Sequence, residues 1–464
     1  MQNTQNFTRT LLLSAVAAAL AGMLFGFDTA VIAGVEKTIK EIYGLDEWRH
    51  GFTISIALIG TMCGAVFASI PGDRIGRRDS LKITGVLFLV SALGCAFAWD
   101  WYSLVFFRFV GGLGIGAASV LAPMYIAEIS PAAWRGRLVA CFQINVVGGI
   151  LLAYLSNYLI DLAGFDINSV EWRVKLGVEA VPAAAFLAML YQIPRSPRWL
   201  VKSGRPEEAK ESLKLIGEQN PEAELAQIQE SLCCDEQTRS TRLFRKAYAF
   251  PIFLAFTIAM FNQLAGINGL LYYLNSIFES AGFGKVSSAQ QSVIIGATNF
   301  AFTLLAMTLI DRLGRKTLLL VGAVGTCAAL CVASWIFYTN TNQGLLLWTL
   351  VAYIAFFALS QGAVIWVYIS EIFPNSVRAK GQSLGSATHW VFCALITFLF
   401  PAAAKLTSLT VGGETFEFNS SLPFMFFALM TFIQFFVVLF FYPETKGVPL
   451  EDMQKRMAAP WKRP

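Results

Sequence analysis

Asp28 stands in the stretch FGFDTAVIAG, near the end of an apolar run that begins at Leu11; no other charged residue follows until Glu36. An ionised Asp costs roughly 2.5–3.5 kcal/mol at the centre of a membrane helix, and acids kept in such places are functional by default. One basic residue, Arg108 in FFRFVGGLGIG, is embedded in a comparable apolar run and is the natural partner. An opposite charge close by favours the ionised acid, whereas removal from water favours the neutral one. If a conformational change parts the two, the balance tips and Asp28 takes a proton. The pair then reads as a coupling switch. The plainer alternative is a static ion pair that fastens two helices.

Such a pair has meaning only in a membrane-embedded chain. Of the 464 residues, 56% are hydrophobic and 14% charged, whereas soluble domains carry about 25% charged residues. That deficit excludes an ordinary soluble protein. Apolar runs of spanning length predict twelve helices near 11–34, 50–71, 83–99, 102–127, 138–160, 174–193, 250–278, 289–310, 317–338, 345–370, 382–404 and 421–442. The first run lacks the basic flank and small-residue cleavage site of a signal peptide. Basic residues concentrate in GDRIGRRDSLK, ISPAAWRGR, the segment 194–247, DRLGRK and VRAK, all in even-numbered connections. This bias predicts cytoplasmic termini. The net charge of +5 is therefore a topological signal, and no basic stripe interleaved with aromatics points to nucleic acid. Six of the eight cysteines fall in spans and read as small apolar residues, while Cys233 and Cys234 fall in a predicted cytoplasmic segment, where a disulfide is not expected.

The chain also repeats itself. GDRIGRR at 72–78 recurs as DRLGRK at 311–316, and MYIAEISPAAWRGR at 124–137 recurs as VYISEIFPNSVRAK at 367–380. Both copies occupy matching places in successive six-helix blocks, on the same membrane side. The expected fold is thus all-α: twelve transmembrane helices in two six-helix halves related by a parallel repeat, the arrangement of major facilitator transporters. The halves are expected at 1–193 and 248–442, with a linker of short cytoplasmic helices at 194–247 and a cytoplasmic tail at 443–464. In each repeated turn, Gly76 or Gly314 permits a sharp reversal. The charges around it (Asp73, Arg74 and Arg77; Asp311, Arg312 and Arg315) are expected to pair with neighbouring helix ends. Glu128 and Arg135, like Glu371 and Arg378, flank a Pro-containing turn and are expected to pair across helices rather than with each other. Charges arranged in this way read as an inner gate; plain topology anchors are the alternative.

Six motifs in order, GDRIGRR, PMYIAEISPAAWRGR, SPRWL, NQLAGINGLLYY, GAVIWVYISEIFP and PETKG, resemble the sugar porter family of the major facilitator superfamily. That family includes bacterial xylose–proton and galactose–proton symporters and animal facilitative glucose transporters. The resemblance runs from Phe25 to Gly447 and implies alternating access with a monosaccharide substrate. It implies that Gln143, Gln263 and Asn268 bind the sugar, with Asn262, Asn299, Gly362, Trp366, His389 and Trp390 around them. Amides suit this task, because sugar hydroxyls both donate and accept and amides do the reverse. Tyr272 and Tyr273 match the family's outer-gate tyrosines, and Glu444 in PETKG joins the inner gate. Asp28 falls where proton-coupled members carry Asp and facilitative ones Asn. Gly266 and Gly269 are expected to let the seventh helix break near the midplane.

Three departures from the family pattern stand out. Asn262 replaces the first of two glutamines. His389 stands where relatives carry an amide, and histidine, unlike an amide, can change charge between pH 5 and 8. Arg195 turns the usual PESPR motif into PRSPR, reversing a charge at the inner gate. The reading is a proton-coupled hexose or pentose symporter, working as a monomer in a lipid bilayer, with the compact loops and short tails pointing to a bacterial inner membrane. A facilitative sugar uniporter is the alternative, and a sugar-sensing transceptor or another major facilitator antiporter fits less well. No nucleophile–base pair, metal-ligand spacing or phosphate loop suggests an enzyme, a metal or a cofactor.

Overall fold

Apolar runs become helices because a chain in hydrocarbon must satisfy every backbone N–H and C=O internally. The computed structural model describes residues 8–131, 134–165, 170–238, 243–374, 377–411 and 414–448; most of the tail expected at 443–464 lies outside the described residues. Among the described residues, eleven helices are long and apolar enough to cross a membrane, and they match eleven of the twelve expected spans. The first runs Arg9–Val31, the second Glu47–Phe67, the third Arg77–Ala96, the fourth Trp101–Ile129 and the fifth Arg135–Ala163. Several overrun their apolar cores because charged residues such as Arg77 and Arg135 open the helix where hydropathy has already faded.

The sixth span departs from a single helix over 174–193. It forms two short helices, Trp172–Gly177 and Ala180–Leu190, with the break at Val178 and Glu179. A fully buried lysine anchors the first piece. Lys175 Nζ donates to Asp161 at 2.6 Å, to Glu171 at 2.7 Å and to the Gly34 carbonyl at 3.0 Å. Two carboxylates and a carbonyl supply the partners a buried ammonium needs, and they tie the ends of the first, fifth and sixth spans together.

The described residues fall into two compact units, one within Met1–Tyr43 and Ile56–Ser240, the other within Gly44–Ser55 and Thr241–Pro464. In the first, the first and fifth spans pack backbone to backbone. A Cβ on Gly26 would lie 1.9 Å from the Val146 carbonyl oxygen, and one on Gly149 would lie 2.1 Å from that of Met23. Small residues permit this approach, which drives helix packing where lipid offers no hydrophobic gain. Three linker helices, Pro197–Lys202, Pro206–Leu215 and Pro221–Thr238, belong to the same unit. They attach through Leu213 and Ile216, which join the core of the first and fourth spans.

In the second unit, the seventh span is built from Ala249–Leu264, Ile267–Tyr272 and Leu274–Ser280. The first break falls at Gly266, whose φ of +90° suits glycine. Gly269, expected to assist the break, instead lies inside the second piece, where its missing side chain lets the Phe400 ring come close. The eighth span is Lys285–Leu313, the ninth Arg315–Thr339, the eleventh Arg378–Lys405 and the twelfth Leu422–Phe441. The tenth joins Leu346–Phe357 to Ala363–Ile372 through a π turn at Ala358–Gly362. Such turns are frequent at functional sites. Before the twelfth span, strands Ser408–Val411 and Glu414–Glu417 pair antiparallel, a feature hydropathy does not signal.

Candidate functional site: a buried charge cluster and a line of amides

The first unit holds the charges. Asp28 sits one turn before the end of the first span, and Arg108 sits in the second turn of the fourth. Arg108 Nη1 lies 2.6 Å from Asp28 Oδ1, with the side chains 1% and 4% exposed. Glu179, buried at the break in the sixth span, neighbours Asp28 and Arg108. Gly111, nearly one turn beyond Arg108, lets the fourth span close on Ser91: a Cβ there would strike its hydroxyl, at an ordinary 3.9 Å from Asp28 Oδ1. Two carboxylates and one guanidinium thus lie together, closed off from water.

Glu179 is absent from the sequence candidates. Its signal was of the same kind as that of Asp28, an acid before the apolar stretch AVPAAAFLAML. Glu171, Arg173 and Lys175 just upstream made it look like part of a charged helix end.

The second unit holds the amides. Asn268 Nδ2 donates to Gln263 Oε1 at 2.7 Å, and Gln263 Nε2 donates to Asn262 Oδ1 at 2.9 Å. Asn262 Nδ2 reaches the Gln361 carbonyl at 3.3 Å, and Gln361 Nε2 donates to Gln434 Oε1 at 3.0 Å. The line therefore crosses from the broken seventh span through the π turn of the tenth to the twelfth. His389 lies beside it, each ring nitrogen 3.3 Å from Gln263 Nε2. Its ring centroid is 5.1 Å from that of Trp366 and 5.1 Å from that of Trp390. Gly362 closes the π turn, one helical turn before Trp366. Asn299 is buried in the eighth span. Gln143 is half-buried in the fifth span of the first unit. Gln361 and Gln434 were not among the sequence candidates; a lone amide in an apolar run does not reveal what it meets.

The two tyrosines are buried. Tyr273 donates its hydroxyl to the Thr397 carbonyl at 3.0 Å and stacks on Phe400 with centroids 5.0 Å apart.

The repeated turns form matching clusters, one inside each unit. Arg77 Nε meets Glu128 at 3.0 Å, and Arg315 Nη2 meets Glu371 at 2.9 Å. Each arginine also bonds the aspartate four residues before it, Asp73 or Asp311. Arg135 and Arg378 do not pair with these glutamates; each donates to a carbonyl, of Ala127 and Phe373 respectively. Arg74 and Arg312 are exposed. Hydroxyls complete the match, Ser196 donating to Glu128 and Thr445 to Glu371. Glu444 accepts backbone N–H bonds from Arg315, Lys316, Thr445 and Lys446. Burial pushes its carboxyl up, but these four donors outweigh burial and hold it below the ordinary glutamate range.

A family model described as Sugar (and other) transporter matches residues 14–457. The chain belongs to the sugar transporter family. As such it is a transporter and not an enzyme. The D-xylose-proton symporter of Escherichia coli (strain K12) is 33% identical over 481 residues, covering 97% of this chain and 96% of that one. The Glucose facilitated diffusion protein of Zymomonas mobilis is 33% identical over 465 residues, covering 95% of this chain and 96% of that one. The inward-open structure of the xylose transporter XylE from E. coli matches with a TM-score of 0.83 at 32% identity, covering 96% of this chain and 99% of that one. This sugar transporter therefore has the multi-pass, twelve-helix major facilitator fold, its sixth helix split.

Proposed function

We propose that the protein moves a monosaccharide across the membrane together with a proton, by alternating access. The observation that carries this reading is the buried cluster of Asp28, Arg108 and Glu179 in one unit, alongside an amide line in the other. The first can hold and release a proton; the second offers donors and acceptors to neutral hydroxyls. The name of the matched symporter, a D-xylose-proton symporter, supports both parts. Sugar binding falls to Gln143, Asn262, Gln263, Asn268, Asn299, Gly362, Trp366, His389 and Trp390, with Tyr272 and Tyr273 as outer gate. The turn clusters of Arg77–Glu128 and Arg315–Glu371, with Glu444, act as inner gate. Residues 1–193 and 248–442 act as the two moving halves. The protein works as a monomer in a bacterial inner membrane, with its termini cytoplasmic, a reading supported by the basic residues of its turns.

The energetics suffice. A proton-motive force of about 150 mV supplies roughly 3.5 kcal/mol, enough for about 300-fold accumulation of a sugar carried with one proton. Uptake of labelled hexoses and pentoses into proteoliposomes, with and without an imposed proton gradient, tests the reading. Saturable uptake that concentrates one of them under the gradient is the expected result; uptake of none overturns it.

A uniporter is the second reading, favoured by the match to a facilitated diffusion protein. In that case Asp28 and Arg108 only fasten two helices, and no gradient drives accumulation.

A further inference from the structure

The two turn clusters share most of their bonds. Tyr125 donates to the Pro194 carbonyl at 2.7 Å, as Tyr368 donates to that of Pro443 at 3.2 Å. Arg78 reaches the Ile193 carbonyl at 3.1 Å, and Lys316, its counterpart, reaches that of Leu439 at 2.8 Å. The residue after each proline breaks the match: Glu444 in one unit, Arg195 in the other.

In the second unit, the first turn of the ninth span contains no acid. Glu444 supplies one from outside, taking the N–H groups of Arg315 and Lys316 at 2.9 and 3.0 Å. That is a carboxylate at a helix N-terminus, where the helix dipole favours it. In the first unit the third span has its own acid in the first turn, Asp79, where its counterpart in the ninth span is Thr317. Arg195 comes from the Glu444 position and grips it, Nη2 standing 3.0 Å from Asp79 Oδ2 and Nε donating to the same oxygen at 3.1 Å. Arg78 and Lys82 hold the other oxygen at 3.0 and 3.1 Å. Arg195 also lies over the Trp199 indole, which covers Gly76 as Glu444 covers Gly314.

We propose that Asp79 and Arg195 are a compensating exchange of charge. The acid has moved into the helix, a base has taken its place outside, and the pair does in this unit what Glu444 does in the other. Arg195 is thus a positioning residue. It holds the end of the sixth span, and the linker helices after it, to the start of the third span. The substitution of PRSPR for PESPR reverses the polarity of this clamp and keeps the clamp itself.

The test compares wild type, Arg195→Glu, Asp79→Thr and the double variant Arg195→Glu/Asp79→Thr, which recreates the Glu444–Thr317 arrangement. Maximal rate and KM for labelled D-xylose and D-glucose are measured in proteoliposomes at equal folded protein. The melting midpoint of the purified proteins is read alongside; it needs no sugar, so failure of the clamp stays distinguishable from failure of the transport reading. Each single change should lower the maximal rate about threefold to tenfold with KM unchanged, the range expected for coupled neighbours. The double variant should recover both rate and midpoint to near wild type. Rates and midpoints that fall additively in the double variant, or singles that behave as wild type, overturn the proposal.

Discussion

Arg108 Nη1 stands 2.6 Å from Asp28 Oδ1, and Glu179 is buried next to the pair. Two acids beside one base bear on how the cluster takes up a proton. With all three ionised the cluster is one negative charge in excess, so the proton has two carboxyl groups to choose from. Glu179→Gln removes one of them. The pH profile of gradient-driven uptake should then depart from that of wild type. An unchanged pH profile in a folded variant would show that Glu179 is only a packing partner.

The amide line ranks the sugar-site variants. Gln263 joins Asn268 to Asn262, so Gln263→Ala cuts the line in two places, whereas Asn268→Ala removes its end. A lost neutral bond costs about 0.5–1.5 kcal/mol, more where a buried group is left unpaired. Sugar affinity should fall several-fold in Asn268→Ala and Gln143→Ala and further in Gln263→Ala, as read by binding calorimetry at matched expression. Equal affinity in all three would remove the proposed site.

His389 lies between Gln263 and two indoles, with no charged group bonded to it among the described residues. Its company is that of a neutral imidazole in a sugar site. His389→Gln should therefore keep proton-driven accumulation and change the ratio of pentose to hexose uptake. Loss of accumulation with exchange intact would instead put His389 on the proton path.

Glu444 gives a stability signature in acid. Its carboxyl titrates below the ordinary glutamate value because four backbone N–H groups outweigh burial. A group lowered in the folded state contributes stability that is complete above its unfolded pKa, about 4.3. That contribution is lost as pH falls through the lower folded value. The melting midpoint of wild type should exceed that of Glu444→Gln at pH 7, and the gap should narrow as pH falls below about 4.3. A gap that persists in acid would mean the loss is one of shape rather than charge.

Hydropathy and the repeat made most of the fold legible, because spanning helices need only length and apolarity. The break at Val178 and Glu179 falls four residues before Pro182, which has no N–H to give the Val178 carbonyl; that signal stood in the sequence, and hydropathy alone passes over it. Gly269 shows a limit of another kind: a glycine suits either a break or a close approach, and only the packed Phe400 decides. Asp28 and Arg108 were readable as partners because each is rare in its surroundings. Gln361 and Gln434 were not, because a neutral amide in a helix announces no partner. At the turns, sequence showed that Arg195 reverses a charge. The reply by Asp79 appeared only when the two units were set side by side.

Gradient-driven accumulation by Asp28→Asn protein tests the transport reading most directly. Asparagine mimics the permanently protonated acid, so the variant should bind sugar with near-normal affinity and still exchange it across the membrane. Arg108 loses a counter-ion, and leaving a buried charge alone costs a few kcal/mol, so folding must be checked by melting in the same preparation. Under an imposed proton gradient, the expected result is equilibration of sugar without accumulation, against strong accumulation by wild type. Folded Asp28→Asn protein that still concentrates sugar under the gradient would contradict the coupling role assigned to Asp28.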